Sequence, residues 1–166
     1  MKSYLPLLTF VSTLIACLSP ASVSAQVMNA SLKSEPDIYV VMFRADYCAP
    51  CRIVEPRLAT ALNQLNDKAI EYVELDTGGG HGEWNGHAVF DRGIVSQYNR
   101  WLGITGFAAI IDGDTKQTLG CVNMEYDEYS MARHIRNLQG QARRNEVSLD
   151  LTCPPDNNPL PTTAVN

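Results

Sequence analysis

The sequence has no surplus of positive charge, and this absence excludes one class of partner. It contains 13 lysines and arginines against 18 aspartates and glutamates, which gives a formal net charge of −5 at pH 7. The basic residues are scattered and form no basic face, so we expect neither a nucleic acid nor an anionic membrane surface as a partner. An internal repeat is also missing, and 166 residues are enough for one hydrophobic core but too few for two comfortable domains.

A hydrophobic run long enough for a comfortable transmembrane helix is missing as well. The apolar stretch at residues 4–18, YLPLLTFVSTLIACL, is shorter than that and is followed by small residues at Val23 and Ala25. This pattern is typical of a secretory signal, so residues 1–25 are predicted to be a signal peptide cleaved after Ala25. The LIAC within the run also resembles a bacterial lipobox, which would instead lipidate Cys17 and make a membrane the anchor. Either signal, like an uncleaved anchor, carries the domain across a membrane, and the bacterial periplasm is the predicted location.

The remaining chain divides into a lead-in, a domain and a tail. Residues 26–36 are polar and are predicted to be flexible, whereas residues 141–166 are polar and then rich in proline, which is typical of a tail. Between them, residues 37–140 carry patterns in the order strand, helix, strand, helix, strand, strand, helix. The predicted strands are residues 37–43, 69–75, 107–112 and 115–122, and the predicted helices begin at Pro50, Asp91 and Tyr126 and end near Leu65, Leu102 and Leu138. The glycine-rich stretch at residues 76–90 has no periodicity and is predicted to be a loop.

The cysteines are few, and their positions separate them into two pairs. Cys17 lies in the targeting segment, which leaves Cys48, Cys51, Cys121 and Cys153 for the folded part. An even number in an oxidising compartment is compatible with disulfides. Cys121 falls in the predicted hairpin and Cys153 in the tail, so a structural disulfide between them would hold the C-terminus. Free thiols and a second redox relay are the alternatives for this pair.

Cys48 and Cys51 are two residues apart, at the point where a predicted strand ends and a helix begins. Unpaired backbone N–H groups and the dipole at a helix N-terminus favour a thiolate, and they can bring the pKa of a cysteine such as Cys48 to on the order of 7. Cys51, one turn later, is close enough to close a disulfide but is shielded by the helix. Cys48 is therefore the predicted nucleophile and Cys51 the resolving thiol, while Pro50 stiffens the turn and tunes its potential.

Two other interpretations of this pair are an inert crosslink and half of a zinc site. Zinc would need two further ligands, and the sequence has neither a second C-x-x-C nor an H-x-x-x-H. A bridge that closes so short a loop has little entropic reason to exist. His81, Trp84 and His87 lie in the glycine-rich stretch, where two histidines are more often solvated than bound to metal, although a transient copper or zinc role is left open. We therefore predict no metal ligand.

The residues around the first pair resemble those of the thioredoxin family. VVMFRADYCAPCRIVEP, residues 40–56, is similar to the family's strand, aromatic-Cys-x-Pro-Cys turn and helix, with Pro56 as the kinking proline. LGITGFAAIIDG, residues 102–113, resembles the family's segment that leads into the antiparallel half of the sheet. The resemblance covers about residues 37 to 140. It implies an α/β, thioredoxin-like fold with a central mixed β-sheet flanked by helices.

Three positions depart from the family's pattern. Ala108 stands where the family has a cis-proline that faces the cysteine pair, so the Phe107–Ala108 peptide is expected to be trans. Met42 replaces the buried aspartate that assists proton transfer in thioredoxins, and Glu55 is the nearest carboxylate in sequence. The rest of the predicted active-site turn is Tyr47, in place of the family's common tryptophan, Ala49 and Pro50.

The resemblance implies a thiol–disulfide oxidoreductase that acts on disulfide-containing client proteins without a bound cofactor. Cys48 would attack the client disulfide and Cys51 would release the client. Because Cys-x-Pro-Cys turns resemble reductants more than strong oxidants, we expect a reductase. A reductant outside the cytoplasm must be recharged, which implies a DsbD-like transmembrane reductase as electron donor. The alternatives are a disulfide oxidase or isomerase on the same fold, and a metal-handling module that uses the same thiols as ligands.

Overall fold

The computed structural model describes residues 35–78, 82–150 and 152–156, and for residues 82–84 it describes the backbone only. The strands are β1 (Ile38–Arg44), β2 (Ile70–Asp76), β3 (Phe107–Asp112) and β4 (Thr118–Asn123), and the helices are α1 (Cys51–Leu65), α2 (Gly82–Phe90), α3 (Val95–Arg100) and α4 (Glu128–Arg143). The predicted signal peptide, most of the predicted lead-in and the end of the predicted tail lie outside the described residues. Within the described residues, every helix is too short or too polar to cross a membrane.

The strands form one mixed sheet in the order β2-β1-β3-β4. β1 runs parallel to β2 and antiparallel to β3, and β3 runs antiparallel to β4. β1 is apolar almost throughout, as expected for a central strand that is covered on both faces. Because side chains alternate along a strand, Ile38, Val40 and Met42 enter the core on one face of the sheet, and the odd-numbered residues enter the core on the other.

The helices cover the two faces in pairs. α1 and α4 pack on the face of Met42, and both present apolar residues at helical spacing. The buried residues of this layer include Val54, Leu58, Ala61 and Leu65 from α1 and Met131, Ile135 and Leu138 from α4. Val89 at the end of α2, Ile94 just before α3 and Trp101 just after it pack on the opposite face. The cysteine pair at the start of α1 therefore belongs to the first layer.

The structure differs most from the sequence prediction at α2 and α4. The glycine-rich stretch contains α2, so the prediction of a loop there is wrong for Gly82–Phe90. Its sequence, GEWNGHAVF, has weak apolar periodicity and an internal glycine, which hides a helix from pattern reasoning. A tertiary contact docks it: the Asn85 side chain accepts a hydrogen bond from the Asp76 N–H and donates one to the Asp76 carbonyl. α4 continues to Arg143, beyond its predicted end and across the predicted domain boundary at residue 140.

Candidate active site

β1 and α1 meet in the active-site turn, residues 45–50. A disulfide joins Cys48 to Cys51, with the sulfur atoms 2.03 Å and the Cα atoms 5.3 Å apart. α1 begins at Cys51, and its N-cap residue, Pro50, makes no side-chain hydrogen bond to the first turn. The carbonyl of Pro50 accepts the N–H groups of Ile53 and Val54, both at 3.0 Å. The N–H groups of Ile53 and Val54 are thus paired with backbone, and the first N–H group of the helix, that of Cys51, is left for the sulfur of Cys48.

The two sulfurs have different surroundings. The backbone N–H of Cys51 donates to the Cys48 Sγ at 3.1 Å. The Cys51 Sγ lies 4.0 Å from the carbonyl oxygen of Phe43 and faces the interior. A donor at a helix N-terminus stabilises a thiolate, whereas a carbonyl oxygen does not. Once the bond is reduced, this arrangement favours Cys48 as the thiolate and Cys51 as the shielded thiol.

The rim of the turn is exposed although the sulfurs are not. Cys48 is 5% exposed and Cys51 2%. Tyr47 is 72% exposed, and Ala49 beside it is also exposed, whereas Pro50 is partly buried. A client therefore meets Tyr47 and Ala49 before it reaches the Cys48 sulfur.

Gly106, which the sequence analysis missed, forms the wall opposite the turn. Its N–H donates to the Phe43 carbonyl at 2.9 Å, and its φ is +89°. A Cβ at this position would lie 2.6 Å from the Cβ of Pro50 and 3.5 Å from the Cys48 Sγ. Both the backbone conformation and the close approach require glycine. The available signal was a glycine directly before a predicted strand, which often marks a close backbone contact.

Ala108 lies inside the sheet, in β3. None of the described peptide bonds is cis, so Phe107–Ala108 is trans, as expected for alanine. Ala108 pairs with Met42 across the sheet, is fully buried and packs in the same core as both cysteines. Phe107 points to the other face, where its ring stacks on Phe43 with centroids 4.9 Å apart. The Trp101 ring is nearly perpendicular to both rings and contacts them in T-shaped geometry. An aromatic cluster thus supports the end of the sheet that carries the turn.

Arg44, the last residue of β1, gathers the carboxylates near the turn. Its guanidinium lies 3.0 to 3.6 Å from four of them: Asp46, Glu55, Glu74 and Asp76. The hydrogen bond with Glu55 is the largest of the causes that raise the pKa of Arg44 above its ordinary value, so this guanidinium stays charged. Glu55 is therefore turned toward Arg44 and the end of β1. Met42, at the position of the expected buried aspartate, is fully buried and apolar.

A second disulfide joins Cys121 of β4 to Cys153, with the sulfur atoms 2.08 Å and the Cα atoms 4.8 Å apart. The Thr152 hydroxyl accepts the Cys121 N–H at 2.9 Å and donates to the Cys121 carbonyl at 2.7 Å. The carbonyl of Pro154 accepts the Trp101 Nε1–H at 3.1 Å. Residues 152–156, here called the tail strap, therefore lie along the outer edge of β4.

The histidines of the glycine-rich stretch are placed only in part. His81 lies outside the described residues, as does the side chain of Trp84, and His87 is exposed on α2. Across residues 35–78, 82–150 and 152–156, no three His, Cys, Asp or Glu side chains come together as metal ligands. The described residues therefore offer no metal site for comparison with the cysteine pair.

A comparison with protein-family models identifies the family that this part of the chain resembles. Residues 19–81 match the family model described as thioredoxin, a span that includes β1, the active-site turn, α1 and β2. This part of the chain is similar to the thioredoxin family. The family resemblance and the α/β fold with a mixed sheet flanked by helices are thereby confirmed. No curated protein matches the chain.

Solved structures similar to this chain come from a bacterium, a yeast and a mammal. A thiol:disulfide interchange protein of the thioredoxin family from Chlorobium tepidum TLS is 21% identical, with 67% of this chain and 84% of that chain covered at a TM-score of 0.43. Mitochondrial thioredoxin 3 from Saccharomyces cerevisiae, in its oxidised form, is 18% identical, with 61% and 79% covered at a TM-score of 0.37. The first thioredoxin domain of mouse protein disulfide-isomerase A4 is 16% identical, with 76% and 75% covered at a TM-score of 0.39.

The thioredoxin domain and its disulfide-forming pair make the chain a thiol–disulfide oxidoreductase. Cys48 and Cys51 are placed for the exchange reaction, and Gly106 faces them. The family match covers the half of the domain that carries the pair. Gly106 and the rest of β3 and β4 lie beyond the matched span.

Proposed function

We propose that this thioredoxin domain works outside the cytoplasm as a reductase of disulfides in client proteins. One observation carries the exchange chemistry of this proposal: the N–H of Cys51 lies 3.1 Å from the Cys48 sulfur at the start of α1. This donor favours the thiolate of Cys48 in the reduced protein, and the thiolate is the attacking species in disulfide exchange. The same geometry also lowers the cost of releasing Cys48 as a thiolate when the disulfide is reduced.

The reaction consists of two exchanges that move two electrons to the client. The Cys48 thiolate attacks one client sulfur, the client disulfide breaks, and the other client sulfur leaves as a thiolate that takes up a proton. This step leaves a mixed disulfide between Cys48 and the client. Cys51 loses its proton and attacks the Cys48 sulfur, which releases the second client thiolate and closes the Cys48–Cys51 disulfide. The oxidised protein is the form that the structure contains.

The sequence of the active-site turn supports electron transfer toward the client, and the N-terminal segment supports a location outside the cytoplasm. The turn sequence Cys-Ala-Pro-Cys resembles that of reductants more than that of strong oxidants. The segment at residues 1–25 has the pattern of an export signal, and lipidation at Cys17 would tie the domain to a membrane. Outside the cytoplasm, a membrane dithiol reductase of the DsbD-like kind would return the two electrons to the Cys48–Cys51 disulfide.

The reduction potential of the Cys48–Cys51 pair tests this proposal. It is measured by equilibrating the mature protein with glutathione and dithiothreitol buffers and following the alkylation of Cys48. We expect a value closer to the roughly −270 mV of thioredoxin than to the roughly −120 mV of a strong oxidant. A potential near the latter value would contradict the proposal and identify an oxidase.

A further inference from the structure

Cys51 must lose a proton before it can resolve the mixed disulfide, and the described residues around it include no buried base to accept that proton. Cys51 is 2% exposed, and its core neighbours include Met42, Ala45 and Val54. The buried polar side chains of the described residues are those of Asn85, Gln97, Asp112 and Gln139. Their hydrogen bonds are made to other groups, away from both sulfurs. The proton must therefore leave toward a group nearer the surface.

α1 places a carboxylate one turn beyond Cys51. Residues four apart on a helix are neighbours, with about 5–6 Å between their Cβ atoms, and Glu55 stands in this relation to Cys51. The Glu55 Oε1 accepts the Arg44 Nε–H at 3.0 Å. Arg44 follows Phe43, whose carbonyl oxygen lies 4.0 Å from the Cys51 Sγ. The resolving sulfur and the Glu55 carboxylate thus each contact one of two successive residues at the end of β1.

A groove of about 460 Å³ lies beside Glu55 and is open to solvent. It is lined by Glu55, Ala59, Leu62, Asn63, Tyr72 and Glu74. The side chain of Glu55 is 35% exposed, so water in the groove reaches it. Burial is the largest cause that raises the pKa of Tyr72 above its ordinary value, so this phenol stays protonated. The ionisable groups around the Arg44 guanidinium that can take up a proton are therefore carboxylates.

We propose that Glu55 accepts the proton that Cys51 loses, while Arg44 holds the carboxylate in position. This inference rests on the proposed function. The Cys51 thiol becomes a thiolate and the Glu55 carboxylate becomes a carboxylic acid, directly or through one water. The thiolate then attacks the Cys48 sulfur, and the departing client thiolate takes the proton from Glu55. Glu55 ends ionised, ready for the next turnover.

The electrostatic effect of Glu55 has the opposite sign to its proposed role, which makes the test decisive. Removing a negative charge near Cys51 favours the Cys51 thiolate and should speed resolution. Removing the proton acceptor should slow it. Glu74→Gln is the matched control, because Glu74 contacts the same Arg44 Nε at 3.6 Å but comes from β2. The other groups around that guanidinium are Asp46 from the turn and Asp76 from β2.

The experiment uses a chromogenic aromatic disulfide, dithiobis(nitrobenzoate), with the reduced mature protein whose tail disulfide has been verified by peptide mapping. The first phase of coloured thiolate release reports attack by Cys48, and the second reports resolution by Cys51. Between pH 6 and 8, we expect Glu55→Gln to slow the second phase by at least about tenfold and to leave the first phase in place. Glu55→Asp should recover most of the rate, and Glu74→Gln should keep the wild-type pH profile.

The two phases separate the two proposals. A second phase that is equally fast or faster in Glu55→Gln would overturn the role of Glu55 and leave the reductase proposal intact. Equal slowing in Glu55→Gln and Glu74→Gln would also overturn it, because the effect would then belong to the Arg44 cluster as a whole. A wild-type protein without a first phase would contradict the proposed function itself.

Discussion

The two disulfides of this chain differ in the length of the loop that each closes. Cys48 and Cys51 are separated by 3 positions, and Cys121 and Cys153 by 32. In the chain-entropy account, a loop of the second size removes roughly 3 to 4 kcal/mol of conformational freedom from the unfolded chain, and a loop of the first size removes much less. The tail disulfide is therefore suited to stability, and the active-site disulfide needs another reason to exist.

The surroundings of the sulfurs supply that reason. The Cys48 sulfur receives a backbone N–H, which stabilises the thiolate that forms on reduction. Cys121 is fully buried in the apolar core that also contains Trp101 and Phe107, where a thiolate would be poorly solvated. Attack on the partly buried Cys153 would have to release Cys121 as that thiolate. The two disulfides therefore differ in how well the protein stabilises the thiolate that leaves when the bond is broken. This difference separates a redox-active disulfide from a structural one.

The largest expected effect lies at the active-site disulfide. Cys48→Ser removes the nucleophile and should abolish the reduction of insulin disulfides, measured by the precipitation of free insulin B chain. Cys51→Ser keeps the nucleophile but removes the resolving thiol, so it should accumulate mixed disulfides that appear on non-reducing gels. The matched control is the double variant Cys121→Ser/Cys153→Ser, which should keep reductase activity. Wild-type activity in Cys48→Ser would remove the basis for the enzymatic assignment.

The next largest effect belongs to the tail disulfide. The double variant Cys121→Ser/Cys153→Ser should lose roughly 3 to 4 kcal/mol of unfolding free energy, because the unfolded chain regains the freedom of the long loop. Urea titration of the oxidised proteins measures this loss. Peptide mapping of non-reduced protein from its native compartment should find Cys121 linked to Cys153. Finding Cys153 linked to Cys48 or Cys51 during turnover would instead make the tail part of a redox relay.

A smaller effect is expected at the wall of the active site. Gly106→Ala places a Cβ 2.6 Å from Pro50 in a left-handed backbone conformation. Overpacking and strain together should cost about 2 to 3 kcal/mol and slow the first phase of disulfide attack. Gly86→Ala is the control, because a Cβ there meets nothing within 4 Å and the helix α2 should gain up to about 1 kcal/mol. If Gly106→Ala were as stable as Gly86→Ala, Pro50 would have moved away from the new Cβ at no cost, and the expected overpacking would be wrong.

The local part of this site could be predicted from the sequence. The strand, turn and helix around Cys48 and Cys51 follow from a β-branched run, a proline and apolar spacing, all of which act between near neighbours. β3 at Phe107–Asp112 was predicted for the same reason, and the structure places it at those residues. The helix α2 escaped prediction because its stability comes from docking by Asn85 against β2 rather than from its own sequence.

Contacts between distant segments lay beyond the sequence. Gly106 lies 58 positions after Cys48, and only the fold brings it within contact of that sulfur. The direction of the Glu55 side chain depended on where Arg44 ends β1, which spacing along α1 alone does not show. The count of cysteines was even, but four cysteines allow three pairings. Each of these contacts depends on how the fold places two separate segments.

The smallest expected effect is at Thr152, and it tests how the tail disulfide stabilises the protein. Its hydroxyl accepts the N–H of Cys121 and donates to the carbonyl of the same residue, so Thr152→Val leaves both edge groups without that partner while keeping the side-chain shape. We expect a loss of about 1 to 2 kcal/mol in the oxidised protein, measured by urea titration.

In the Cys121→Ser/Cys153→Ser background the same substitution should cost less, because an untethered tail strap can leave the edge of β4 and let water pair with those groups. A double-mutant cycle measures this coupling. An equal cost in both backgrounds would show that the strap holds its place without the disulfide, and the tail disulfide would then act on the unfolded chain alone.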